Sequence, residues 1–135
     1  MAKNLISCLP ALLLACALPL TAQAGETNAA AARQQATAAA HAGMALGAAD
    51  IKTTHMHLHH VVNCLVGPSG KAFDAKAANP CKDIGHGAIV DAKGDAATEA
   101  RLHKALSEAE KGLKTSALAD AHADAKSAMA TLQSH

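Results

Sequence analysis

Four imidazoles fall within six residues in the run His55-x-His57-x-His59-His60. Neutral imidazole is a good ligand for zinc, copper and nickel. On a helix, His55 and His59 lie one turn apart and can offer two nitrogens to one ion. On a strand, His55, His57 and His59 would share a face. Either geometry is usable, so the spacing predicts a metal site at His55, His57, His59 and His60. One or two His would fit a solvated polar face, but four together fit it poorly. His86, between Gly85 and Gly87, is a further candidate ligand that a cross-link could bring near the cluster. Copper leads, because imidazole sites bind Cu(II) most tightly in the divalent series and Met44 and Met56 offer soft thioethers to Cu(I); zinc and nickel follow.

The compartment decides how the cysteines are read. Residues 1–24 have a basic start at Lys3, an apolar run from Leu5 to Leu20 and a small-x-small end at Ala22-Gln23-Ala24. That is the layout of a signal peptide cleaved after Ala24, which predicts a periplasmic protein with no membrane span after cleavage. Leu13-Leu14-Ala15-Cys16 also fits a lipoprotein box, in which Cys16 would carry a lipid anchor. Cys64 and Cys81 remain in residues 25–135, read here as a single domain. In an oxidising compartment two such residues pair. A thiolate metal site with His60, one turn before Cys64, is the alternative. With neither Cys-x-x-Cys nor Cys-x-x-Cys-His, a redox pair and covalent haem are disfavoured.

These residues need elements to position them. Roughly a quarter of the chain is alanine, the best helix former, which favours an all-α fold. Helix one is expected over 26–48. Asp50 caps a second over Ile51 to Val66, stopped by Gly67-Pro68. The Gly-rich stretch 67–95 reads as a long loop. Asp95 caps a third helix, about 96–112, ended by Gly112. A fourth starts at Thr115 or Ser116 and runs to about Gln133. Leu102, Leu106, Ala109 and Leu113 form one apolar stripe. Leu118, Ala121, His122, Ala125, Met129 and Leu132 form another. The expectation is a four-helix up-and-down bundle with a long, disulfide-braced loop between helices two and three. Thr54 to His59 also alternates with period two. The helix is preferred there, because the one strand partner in view, Ala88-Ile89-Val90, would make only an isolated ribbon.

Composition also excludes. With Lys3 removed, eleven basic residues balance eleven acidic ones, and Trp and Tyr are absent. That offers neither a basic stripe nor stacking platforms for nucleic acid. No His-Glu-x-x-His, Gly-x-Ser-x-Gly or paired Glu-x-x-His motif occurs, so an enzyme is not expected. Two other readings stay open. One is a bundle holding haem b between His41 or His122 and a Met. The other is a structural or stress-related helical protein whose His titrate as pH falls through about 6.5.

Residues 96–135, with Glu99-x-x-x-His103 and Ala121-His122-Ala123-Asp124, resemble small periplasmic His-rich metal-binding helical-bundle proteins. The resemblance implies Ala-rich, charge-balanced helices with surface His that take up metal ions. The block from His55 to Asp91, with Asn63-Cys64-Leu65-Val66-Gly67-Pro68 and Asn79-Pro80-Cys81, departs from that pattern. It is similar to a segment of exported bacterial proteins and implies a grouping without an activity. The family's low-affinity buffering of several ions is what the resemblance implies for residues 96–135.

Overall fold

The structure, a computed structural model, describes residues 21–134. The proposed signal segment 1–24, with Cys16, lies outside the described residues except for its last four positions. The described secondary structure is entirely helical: α1 (Thr21–Leu46), α2 (Ile51–Val66), α3 (Ala88–Asp91), α4 (Ala96–Lys114) and α5 (Leu118–Gln133). None of the described helices is long and apolar enough to cross a membrane.

Local signals account for most helix ends. Asp50 Oδ1 accepts the Thr53 N–H at 2.8 Å and its Oδ2 accepts the Thr53 hydroxyl at 2.8 Å. Asp95 does the same with Thr98, at 3.1 and 2.8 Å. Each satisfies one of the free N–H groups of a first helical turn. The same bonds hold both carboxyls below the usual carboxylate range. Gly67 ends α2 at φ 66°, with its N–H donating to the Asn63 carbonyl at 3.0 Å. A Cβ there would run into the His86–Gly87 peptide, so the position requires glycine on two counts.

The four long helices form a helical bundle. α1 packs on α2 and α5, and α4 packs on α5 and α2. The core combines Ala38, Ala42 and Ala45 of α1 with Leu58, Val61, Val62 and Leu65 of α2. Leu102, Ala105 and Ala109 of α4 and Ala125, Ala128 and Leu132 of α5 complete it. Alanine buries little area per residue, so such a core depends on close approach of helices. Gly112 shows this. The expected stop there is wrong: α4 continues to Lys114, and a Cβ on the buried Gly112 would come 2.8 Å from Leu58 Cδ1. α5 begins at Leu118, later than expected, and its N-cap residue Ala117 makes no side-chain bond. Thr115 Oγ1 instead accepts the Ala117 N–H at 3.1 Å.

Residues 67–95 are not wholly irregular. α3 adds one helical turn, resting on α1 and α2. Cys64 of α2 is disulfide-bonded to Cys81. The neighbouring Asn63, fully buried, donates to the carbonyls of Asp74 (3.0 Å) and Ala78 (3.2 Å) and accepts the Asp74 N–H (2.9 Å). On the other side, buried Gln34 of α1 donates to Asp91 Oδ2 at 2.7 Å and accepts the Gly87 N–H at 2.9 Å. Every residue of α2 from His60 to Val66 is therefore buried. A helix covered all round needs no polar stripe, which is why Val61-Val62-Asn63-Cys64-Leu65-Val66 lacks one.

Candidate metal centre

α1 and α2 are joined by four residues, 47–50, and so run past each other as a hairpin. His41 lies five residues before the end of α1, and His57 six residues after the start of α2. They meet across the hairpin, with His60 one turn beyond His57. His41 Nδ1 is 3.2 Å from His57 Nδ1, and His60 Nδ1 is 3.3 Å from His41 Nδ1. The ring centroids are 4.8 to 5.6 Å apart. One ligand nitrogen from each ring lies within 4.8 Å of the other two.

Those spacings suit one shared cation. Metal–nitrogen bonds of about 2.0–2.1 Å at tetrahedral angles place ligand nitrogens about 3.3 Å apart. His60 is buried, whereas His41 and His57 are half-buried. Burial holds the His41 and His60 imidazoles below their ordinary value of 6.5. Charge on the neighbouring rings acts in the same direction: His60 and His57 on His41, and His57 and His59 on His60. A lowered proton affinity keeps lone pairs free for a metal near neutral pH.

The sequence-predicted ligands divide. His57 and His60 join the cluster. His55 and His59 do not, because the helix turns them to another face. His55 Nε2 donates to the Thr115 carbonyl at 2.9 Å, and His59 Nδ1 lies 3.4 Å from Asp74 Oδ2. His86 sits in the α3 corner, its Nδ1 3.2 Å from Asp91 Oδ1 and its side chain 84% exposed. His122 Nε2 lies 3.4 Å from Thr54 Oγ1, an interhelical contact. The third imidazole, His41, is absent from the run of spaced His. The signal that locates it is the helical hairpin, whose four-residue connection pairs residues near 41 with residues near 57.

Comparison with family models, with characterised proteins and with solved structures finds no match to this chain.

Proposed function

We propose that this chain binds a transition-metal ion at His41, His57 and His60, and that it sequesters or delivers that ion as an exported, periplasmic protein. The reading is of a binding protein and not of an enzyme. The supporting observation is the convergence of three imidazoles from two helices, with His41 Nδ1 at 3.2 Å from His57 Nδ1 and 3.3 Å from His60 Nδ1. Copper is the first choice, since divalent copper binds imidazole most tightly, and zinc and nickel follow. Three imidazoles leave one coordination position for water or for a ligand brought by a partner, which suits hand-over of an ion.

In this reading the four long helices are an up-and-down bundle, and residues 67–95, apart from α3, are a loop that the Cys64–Cys81 bond braces against α2. That brace fixes the second half of α2, which carries His60 one turn before Cys64. Calorimetric titration of the oxidised protein with Cu(II) and Zn(II) tests the proposal. The His41→Gln, His57→Gln double variant is expected to bind at least tenfold more weakly at the tighter site. Unchanged affinity would sink the assignment.

A second reading rests on the same rings. The lowered proton affinity of His41 and His60 favours an acid-responsive helical protein in which these two rings protonate and the α1–α2 hairpin loosens. It predicts no metal affinity beyond that of scattered surface His.

A further inference from the structure

We propose that His55, Met56 and His59 form a second metal site, on the face of α2 that looks toward the end of α4, and that it selects Cu(I). This site shares no residue with the His41 cluster and does not depend on it.

The three side chains line one open cavity of about 610 Å³, with Leu113 and Thr115 opposite. His55 and His59 are four residues apart on a continuous helix, the spacing at which two His can chelate one ion. Met56 lies beside them and is 44% exposed, a soft thioether held at the surface. The polar neighbours of the two rings indicate which nitrogens are free. A carbonyl oxygen only accepts, so His55 Nε2 carries the proton that goes to Thr115, and its Nδ1 keeps a lone pair. The Asp74 carboxylate facing His59 Nδ1 draws the proton to that nitrogen, leaving the Nε2 lone pair. Metal-bound imidazoles usually have this outer arrangement, with the second nitrogen donating to a carbonyl or a carboxylate.

Asp74 is itself held in place. Its backbone N–H donates to buried Asn63, and its Oδ1 accepts the Lys76 N–H at 2.8 Å. The segment that the disulfide ties down therefore presents the acceptor that orients His59. Lys52 and Lys114 also line the cavity. Two ammonium groups repel a dication more than a monocation. Together with the thioether, this favours Cu(I) over Zn(II).

Cu(I) titration in competition with a chromophoric chelator tests the site, under anaerobic conditions with ascorbate so that the disulfide stays closed. The wild-type protein is expected to take up two ions. His55→Gln with His59→Gln should take up one, and Met56→Ile should weaken the second Cu(I) at least tenfold while changing Zn(II) affinity less than about twofold. Asp74→Asn, which leaves all three ligands in place, should weaken it about ten- to a hundredfold. If His55→Gln with His59→Gln binds as many Cu(I) ions as the wild type with the same affinities, the second site does not exist. Loss of binding only in His41 and His57 variants would also overturn it. Unchanged binding in those variants would instead count against the His41 cluster alone.

Discussion

Nδ1 of His41 stands 3.2 Å from Nδ1 of His57, across a helical hairpin and sixteen residues of sequence. An ion shared by these nitrogens and by His60 would tie α1 to α2 and bind the folded chain more tightly than the unfolded one. Metal should therefore raise stability by linkage, by about 2.7 kcal/mol when free metal is a hundredfold above its Kd. For a domain of this size that is a rise in Tm of roughly ten degrees. Thermal unfolding with and without Zn(II) measures it, and His41→Gln should remove most of the shift.

Without metal, His41 and His60 make stability depend on pH. Their folded-state proton affinity is lower than in the unfolded chain, so the unfolded state binds more protons between the two values. The stability from neutral His41 and His60 is fully present above pH 6.5 and is lost as pH falls below it through the lowered folded-state values. Urea unfolding midpoints across that range should fall with acidification. The His41→Gln variant should show a shallower decline.

The bounds of α2 were readable in advance, because its signals are local. Asp50 caps its own first turn, and Gly67-Pro68 cannot continue a helix. The period-two run through Thr54 to His59 is an alternation of His positions alone: burial there follows helical spacing, with Thr54 and Leu58 buried one turn apart and Met56 exposed. Features set by distant partners were not readable in the same way. Gly112 looks like a helix stop, yet it is a contact point with Leu58 of α2. α3 is a single turn whose start, Gly87 at φ 118°, is packed against the end of α2. The candidate site shows the same division. His57 and His60 stand out by spacing, but the separation of their face from that of His55 and His59 follows from the helix. His41 enters only once α1 and α2 are seen to pair.

Asn63 and the cystine beside it are predicted to hold the loop together. Asn63→Ala would strand the Asp74 N–H and remove two further hydrogen bonds, at a cost of about 2–3 kcal/mol. Replacing Cys64 and Cys81 by Ala should cost about 3 kcal/mol by chain entropy for a bond spanning seventeen residues. The two changes share one loop, so the combined variant should lose less than the sum. Chemical denaturation of the set decides this.

At Gly112, Ala is expected to destabilise by about 1–3 kcal/mol, because its Cβ would meet Leu58 at 2.8 Å and Asp124 at 3.2 Å. Gly47→Ala, whose Cβ meets only ordinary contacts from 3.6 Å, is the control and should change stability little. Similar Tm values for the two would mean that α4 and α2 approach less closely than described.

The most direct test of the shared-ion claim is nitrogen-15 NMR of the imidazole rings during addition of Zn(II). The account predicts that the first equivalent moves the His41, His57 and His60 resonances together, with Nδ1 as the nitrogen that reports coordination, while exposed His103 stays in place. A first equivalent that leaves His41 unmoved while shifting other rings would contradict it.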